Sequence, residues 1–279
     1  MACASYRKKK VAMAFLTSGG SIDLQSKDEV YSSAPSSPND LPSKVKVDVN
    51  DKVRQQIEKL SARTKSLTSF QCRLEYLFEQ PVFETKTLQK GEMFYLKEGK
   101  TSLLRINFSS RKEDTGKEQK FQDEYIFNGT YLTRIDYQVK EVKHYQQAKE
   151  GETVDAFDLI AKNFPILGFS KTAELEKNYD IKLEQQTEEK ISPERSREGK
   201  LAILTLSPKP DSNNKDYKKI SLSVDTAIDL PVKIVATNSD GDIYTISFLE
   251  PKVNQKIDKK VFAFTVPKGF TEVTEKLEK

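Results

Sequence analysis

The side chains that most often carry out chemistry are sparse in this chain. It has one histidine, His144, and two cysteines, Cys3 and Cys72, which stand far apart in the sequence. No serine, cysteine or metal-ligand cluster is positioned around His144 in a catalytic pattern, which favours a packed or solvated imidazole. Zinc-ligand spacing, a glycine-rich phosphate loop and a Gly-x-Ser-x-Gly elbow are all missing. We therefore expect no enzyme, no metal site and no cofactor.

Charge and composition exclude further classes. The 279 residues include 46 basic and 42 acidic side chains, for a net charge of +4. Because the two signs are interspersed, the pattern argues against a dedicated nucleic-acid surface. No apolar run approaches the ~20 residues that span a bilayer. The 15 Phe and 11 Tyr can still supply a large apolar interior.

The elements that surround His144 are predicted to be strands. From Phe70 onward, apolar and polar residues alternate with a period of two, which is typical of strands with one dry face and one wet face. The first segment places these residues on one face: Phe70, Cys72, Leu74, Tyr76 and Phe78. About a dozen such segments predict one large, curved antiparallel sheet around an apolar interior.

Turn signals separate the predicted strands. Asn128-Gly129 and Asn238-Ser239-Asp240-Gly241 are both typical of tight hairpin turns, and Gly91 is expected to open the second strand. The charged stretch from Ser109 to Glu118 is predicted to be a loop. We place the strands near residues 70–80, 90–97, 102–109, 120–128, 130–138, 140–147, 179–187, 200–207, 217–225, 230–238 and 242–250, with a final short strand at Val261–Val266.

Three segments change to a helical period. Residues 50–67 predict an amphipathic helix with Val53, Ile57 and Leu60 on one face. A short helix is expected near 155–164, where Phe157 and Ile160 share a face and Pro165 ends it. A third short helix is expected near 170–177. The fold class is thus mainly β with covering helices: an unclosed barrel of about eleven strands, closed by the first helix and the short lid helix.

Six segments of the chain follow one another as they do in a known family. They are Leu67–Gln80, Gly91–Lys97, Tyr125–Leu132, Ala156–Asn163, Leu230–Ile234 and Phe262–Gly269. Over roughly residues 50–275 the chain resembles the LolA/LolB family of bacterial periplasmic lipoprotein carriers. The resemblance implies a monomer whose barrel holds acyl chains and passes lipoproteins from an inner-membrane transporter to an outer-membrane receptor. It also implies a periplasmic location.

The chain departs from this family at the lid. Lys97 aligns with a family arginine that helps to hold the lid, and lysine cannot make the planar contact that arginine makes. The family's tryptophans are missing, and Phe94 and Tyr95 occupy that stretch. We expect Lys97, Phe157 and Ile160 to form the lid contacts. The candidate cavity residues are Leu74, Tyr76, Phe78, Leu104, Ile106, Tyr125, Phe127, Ile220, Leu222 and Ile234.

The first 48 residues are predicted to lie outside the barrel. Arg7 to Lys10 precede an apolar run of six residues, which is shorter than the ~7–15 of a secretion signal. The segment is either a poor signal or a basic tail, followed by a disordered Ser- and Pro-rich linker. We therefore divide the chain into 1–48, signal-like segment and linker, and 49–279, incomplete barrel.

The function implied by the resemblance is that of an outer-membrane lipoprotein carrier. The alternative is a protein of the same fold that senses lipid or a partner, or serves in the envelope, without transport. Fold alone does not decide between them.

Overall fold

The computed structural model describes residues 49–157, 159, 172–187, 201–212 and 216–277. The predicted signal-like segment and linker at 1–48 lie outside these ranges, as does the lid candidate Ile160. Two α-helices are described, α1 (Val49–Lys65) and α2 (Thr172–Asn178). Of the helix expected near 155–164, residues 155–157 and 159 are described; residues 156, 157 and 159 are helical, and Asp155 lies just before them.

Twelve strands form one sheet. They are β1 (Ser69–Gln80), β2 (Thr85–Glu98), β3 (Thr101–Glu113), β4 (Gln119–Phe127), β5 (Tyr131–Asp136), β6 (Glu141–Gln146), β7 (Tyr179–Thr187), β8 (Leu201–Pro208), β9 (Tyr217–Asp225), β10 (Leu230–Asn238), β11 (Ile243–Val253) and β12 (Thr271–Glu275). Their order is β12-β6-β5-β4-β3-β2-β1-β11-β10-β9-β8-β7. In the described part of the chain the edge strands β7 and β12 do not pair with each other. The predicted fold class, an unclosed curved sheet with covering helices, is confirmed.

The sheet is mixed rather than wholly antiparallel, because β12 pairs in parallel with β6. The strand predicted at Val261–Val266 is wrong: Lys259–Phe262 is a short 3₁₀ helix, and the chain then crosses the outer face of the sheet. There Arg105 Nη1 donates to the carbonyls of Val261 (2.7 Å) and Ala263 (2.9 Å). Phe264 packs on a small outer cluster with Ile126. The alternation thus reflects packing on the sheet and not pairing within it.

The loop predicted from Ser109 to Glu118 is also wrong in part, since β3 continues to Glu113. Ser110 pairs with Lys120, and Lys90 Nζ lies 3.1 Å from Glu118 Oε2 across the neighbouring strands. Backbone pairing at the exposed end of a hairpin does not require apolar side chains, so polarity alone is a poor sign of a loop.

Gly91 lies inside β2 and does not open it. The register of β2 and β3 shifts at Lys90 and Gly91, and a Cβ on Gly91 would stand 1.9 Å from the carbonyl oxygen of Asn107. Only glycine allows the two backbones to approach this closely. The position faces inward beside Leu74, so it also leaves a gap in the inner wall.

Helix α1 covers the open side of the barrel. Its predicted apolar face is confirmed, because Val53, Ile57 and Leu60 are all buried in the main core. The helix packs against β7, β10 and α2. At its end Arg63 Nε donates to the carbonyl of Ile228, 3.1 Å away. An amphipathic helix of this kind is held mainly by the apolar surface that it buries.

A buried ion network lies on the inner face of β4 and β5. Arg134 donates through Nε to Asp123 Oδ1 (3.0 Å) and through Nη2 to Asp123 Oδ2 (2.8 Å), and its Nη2 lies 3.0 Å from Asp136 Oδ2. The side chains of Arg134 and Asp123 are 13% and 2% exposed. Burial raises the pKa of the Asp123 carboxyl, and Arg134 opposes that rise.

This network predicts a pH-dependent effect of Arg134→Met. Without Arg134 the folded pKa of Asp123 rises further above its unfolded value near ~3.9. The free energy of unfolding then falls by about 3–5 kcal/mol at neutral pH, above the folded pKa of Asp123 in the variant, and this loss shrinks as the pH falls toward the folded pKa of Asp123 in the wild type. Urea unfolding followed by circular dichroism at several pH values measures it.

Two variants control this prediction. Arg73→Met removes an exposed pair with Glu250, in which the side chains are 52% and 58% exposed, and should change stability by only about 0–1 kcal/mol. Adding Asp123→Asn to Arg134→Met should abolish the pH dependence. A loss that stays the same from acid to neutral pH would contradict the assignment to a buried carboxylate.

Candidate functional site

A cavity of about 110 Å³ lies between the inner face of the sheet and the covering helices. A single water needs only ~10–15 Å³ on the same measure, so the interior is hollow rather than filled. The lining is apolar apart from one amide and two phenols. It consists of Leu67, Phe70, Leu74, Tyr76, Gln89, Met93, Leu104, Ile106, Phe108, Tyr125, Leu132, Phe157, Leu159, Leu230, Pro231, Ile246 and Phe248.

The structure separates the ten candidate cavity residues into two groups. Half of them line the cavity: Leu74, Tyr76, Leu104, Ile106 and Tyr125. The others are buried in the same apolar core without reaching the cavity: Phe78, Phe127, Ile220, Leu222 and Ile234. All ten side chains point inward. The elements that pack over each one determine whether it borders the cavity or is fully packed in the core.

Sequence reasoning does not single out several of the lining residues. Phe108 lies within the strand predicted at 102–109, and its alternation with Leu104 and Ile106 marks it as inward-facing. Gln89 falls outside the predicted second strand, because that prediction begins one residue too late to include it. Leu230 and Pro231 lie at the beginning of β10, and no local pattern shows that they border an empty space.

One covering element over the cavity is the lid segment, defined here as residues 154–157 and 159. Its backbone is fixed at two points on the rim: Val154 N–H donates to the carbonyl of Gly129 (2.9 Å), and Ala156 N–H donates to Ser102 Oγ (2.6 Å). Leu159 N–H donates to the carbonyl of Asp155 (2.9 Å), which forms one helical turn. The base of the lid segment is therefore held by a few identifiable hydrogen bonds.

Apolar side chains of the lid segment close the top of the cavity. Phe157 and Leu159 both belong to the lining, and the Phe157 ring lies 4.5 Å from that of Tyr95, centroid to centroid. Tyr95 also donates to Asp155 Oδ2 across 3.4 Å. The lid segment thus joins β2 through one aromatic pair and one long hydrogen bond.

Lys97, the third lid candidate, follows Tyr95 by two residues at the rim. Its side chain is exposed, and its backbone N–H donates to the carbonyl of Thr68 at 2.8 Å. No hydrogen bond or ion pair joins the Lys97 side chain to the described residues of the lid segment. The lid segment is held to the barrel instead by Tyr95, Ser102 and the carbonyl of Gly129.

The turn at Asn128-Gly129 positions this rim. Asn128 Oδ1 accepts hydrogen bonds from the N–H groups of Thr130 (3.0 Å) and Tyr131 (2.8 Å). Gly129 adopts φ +97°, a conformation that favours glycine. A side chain there would also collide with Thr101, so the turn chemistry predicted from the sequence is the chemistry found.

The described lining of the cavity presents no side chain that is charged near neutral pH. Burial raises the pKa of the Tyr76 and Tyr125 hydroxyls well above their ordinary value, so both stay protonated. Burial likewise raises the pKa of the Cys72 thiol, which disfavours the reactive thiolate. The site is suited to holding an apolar group by burial and not to proton transfer.

His144 lies on the opposite, outer face of the sheet. Its Nδ1 lies 2.8 Å from Thr133 Oγ1 and its Nε2 lies 2.8 Å from Glu272 Oε1. The imidazole therefore links β5 and β6 to β12 as a packed residue. In the ranges that the structure describes, no group of three or more His, Cys, Asp or Glu could hold a metal ion. Nor does any described helix have the length and apolar character needed to cross a bilayer.

Several solved structures have similar folds. An uncharacterized conserved protein from Thermus thermophilus is 13% identical over 80% of this chain and 99% of its own, with a TM-score of 0.46. The Pseudomonas aeruginosa MucA/MucB complex matches with 13% identity, 77% and 61% coverage and a TM-score of 0.46. Lipoprotein LppX from Mycobacterium tuberculosis matches with 7% identity, 74% and 97% coverage and a TM-score of 0.42. None of the three scores supports an inference about function.

Sequence comparison identifies the family. No curated protein sequence matches the chain. The family model described as "Outer membrane lipoprotein carrier protein LolA" matches residues 117–265, which is more than half of the chain. The match runs from the start of β4 through the lid segment to β11 and the 3₁₀ helix that follows. The chain belongs to the LolA family, as the order of its sequence segments predicts.

Proposed function

We propose that this protein carries lipoproteins across the periplasm by burying their acyl chains in the cavity. The observation that carries the proposal is the hollow, apolar interior closed by Phe157 and Leu159 of the lid segment. A filled core would have no place for a ligand, and a polar cavity would not exclude water from one. In this role the protein acts as a binding and carrier protein without catalysis.

Burial supplies the binding energy. Each methylene removed from water contributes about 0.8 kcal/mol, so one long acyl chain contributes on the order of 10 kcal/mol. Apolar attraction is not directional, and the chain can slide in and out without breaking a set of hydrogen bonds. Release then depends on opening the cover rather than on changing the ligand.

The lid segment has the contacts that such a cover needs. Its aromatic pair with Tyr95 contributes about 0.5–1.5 kcal/mol beyond burial, and each backbone hydrogen bond contributes about 1 kcal/mol net. Opening therefore requires only a few kcal/mol, and binding of a partner protein can supply that. The expected partners are an inner-membrane transporter that loads the carrier and an outer-membrane receptor that unloads it. The proposed carrier is a periplasmic monomer.

A second candidate function is a LolA-type protein that senses lipid or a partner without transport. The observation in its favour is Lys97, which replaces an arginine of the carriers and is exposed at the rim. A cover that lacks this latch suits a protein that responds to a ligand as well as one that hands it over. The cavity fits both functions, so the two can be distinguished only by identifying the molecules that the protein binds.

Mass spectrometry of the protein purified from its own envelope tests the proposal. Co-purified acylated lipoproteins support the carrier, and free lipid together with a membrane-anchored regulator supports the sensor. A fluorescent fatty acid then checks the cavity directly. A folded protein that carries no lipid and binds no fatty acid would contradict both functions.

The closure by the lid segment predicts an effect of Phe157→Asp. A carboxylate cannot stay buried between the cavity and the Tyr95 ring, so the lid segment should swing outward. We expect fatty-acid binding to weaken by roughly tenfold or more, with the circular dichroism spectrum unchanged, since the barrel core does not depend on this ring. Displacement of a fluorescent fatty acid measures the change.

Phe83→Asp is the matched control for this variant. Phe83 is 69% exposed in the turn between β1 and β2, far along the sheet from the lid segment. The same substitution at Phe83 should leave fatty-acid binding in the cavity unchanged. Equal binding by the Phe157→Asp protein and the wild type would show that the lid segment does not cover the ligand.

The anchoring of the lid segment predicts an effect of Ser102→Ala. The hydroxyl of Ser102 is buried and accepts the Ala156 N–H, so its loss leaves a buried donor without a partner. Such a group is unfavourable by about 1–3 kcal/mol, which corresponds to roughly a 5- to 150-fold rise in local opening. Hydrogen exchange at the Ala156 amide should accelerate accordingly, and bound fatty acid should dissociate faster.

Ser109→Ala serves as the control on the same strand, because Ser109 is exposed and its hydroxyl makes only a long contact of 3.4 Å. It should leave both rates unchanged. If Ser102→Ala also leaves the Ala156 amide exchanging at the wild-type rate, the lid segment is not anchored at Ser102.

A further inference from the structure

The cavity has a well-defined lower end. Three of its lining rings contact one another in a row: the centroids of Tyr76 and Phe108 are 6.4 Å apart, and those of Phe108 and Tyr125 are 6.5 Å apart. We call these three residues the aromatic floor. All three line the cavity away from the lid end, where Phe157 contacts Tyr95.

A charged network lies beyond the aromatic floor on one side. The guanidinium of Arg134 stands 5.6 Å from the centroid of the Tyr125 ring, and the Tyr125 hydroxyl donates to Asp123 Oδ2 at 3.1 Å. The Tyr125 ring therefore separates the cavity from the buried ion pair. A hydrocarbon chain pushed past it would take water and hydrogen bonds from charged groups, which is unfavourable.

Packed aromatic residues lie beyond the aromatic floor on the other side. Below Tyr76, the next inward residue of β1 is Phe78, whose ring lies 5.1 Å from that of Tyr244. Tyr244 in turn contacts Tyr217 at 6.5 Å. Gln89 stands opposite Tyr76 across β1 and β2 and adds an amide to the lining at this depth. Phe78, Tyr244 and Tyr217 pack on one another in this direction and do not belong to the cavity lining.

The spacing of lining residues along β1 gives the length of the cavity. On β1, Phe70 lines the cavity at the lid end, beside the Tyr95 that contacts Phe157, and Tyr76 lines it at the aromatic floor. Six residues of strand separate them, which corresponds to about 20 Å. An extended palmitoyl chain is of comparable length. A shorter chain leaves part of the cavity empty, and a longer one must bend or leave methylenes outside.

We infer that the aromatic floor sets the length of the acyl chain that this protein holds, with a limit near palmitoyl. This inference rests on the proposed function, because it concerns the same ligand in the same cavity. Affinity should rise about fourfold with each methylene that still finds apolar wall. Beyond the aromatic floor it should stop rising, because further methylenes gain no burial.

Displacement of a fluorescent fatty acid by saturated fatty acids from laurate to arachidate tests the inference on the full chain. For the wild type we expect affinity to climb to palmitate and then level off. Phe108→Ala opens the aromatic floor, so the limit should move to stearate or arachidate. Phe108→Trp raises the floor, so the limit should move to myristate or laurate.

Phe248→Ala is the matched control, because Phe248 lines the same cavity but packs edge-on against Phe70 at the lid end, with ring centroids 6.2 Å apart. It should lower affinity for all chains without moving the limit. Circular dichroism and thermal melting confirm that each variant is folded, and the opposite shifts of the two Phe108 variants cannot both arise from loss of stability.

The outcomes separate the inference from the function on which it rests. A limit that stays at one length in the wild type and both folded Phe108 variants overturns the role of the aromatic floor, as does affinity that keeps rising through arachidate in the wild type. In either case acyl-chain binding itself stands. A folded wild-type protein that binds no chain of any length overturns the proposed function and the inference together.

Discussion

Exclusion of water from the concave face of one curved sheet is the interaction on which this structure depends. The inward residues of β1, β3, β10 and β11 form a single apolar core with α1, and burial of such surface is the dominant favourable term in folding. Over the described residues the sheet does not close on itself, since its edge strands β7 and β12 lie at opposite ends of the order. Helix α1 and the lid segment must therefore supply the rest of the enclosure, and they cover the interior without filling it.

The charged side chains of Arg134, Asp123 and Arg105 lie around this apolar cavity and not in its lining. The bidentate pair of Arg134 with Asp123 lies on the inner face of the sheet, but the Tyr125 ring stands between it and the cavity. On the outer face, Arg105 binds the carbonyls of Val261 and Ala263 and Oε2 of Glu124 at 2.6 Å. The C-terminal segment is thereby fixed across the sheet and leads into β12. That strand covers the edge of β6, which would otherwise be open to pairing with another chain.

Much of this architecture could be predicted from local patterns, and the limits of the prediction have physical causes. The alternation around Leu74 and the turn at Asn128-Gly129 depend on neighbours in sequence, so the strands and their inner face were predictable. Ile106 and Phe127 alternate equally well, yet Ile106 borders the cavity and Phe127 is solid core, because distant elements cover them differently. The parallel strand β12 has no apolar alternation, and all its residues are exposed. Its pairing depends on contacts more than a hundred residues away, and the role of Arg105 on a nominally wet face has the same origin.

The hollow interior has an energetic consequence for function. An apolar void costs about 24 cal/mol per Å³, so a cavity of about 110 Å³ lowers stability by roughly 2–3 kcal/mol relative to a filled core. Replacing Gly91 by a larger residue could not fill the space, because a side chain there would collide with Asn107. This barrel thus keeps an empty apolar volume of a kind that a hydrocarbon could occupy. Such a ligand would recover the missing contacts when it enters, so binding and stabilisation of the closed barrel draw on the same interaction. The proposed carrier should therefore be most stable when loaded, and any partner that opens the lid segment would have to overcome that gain before the ligand leaves.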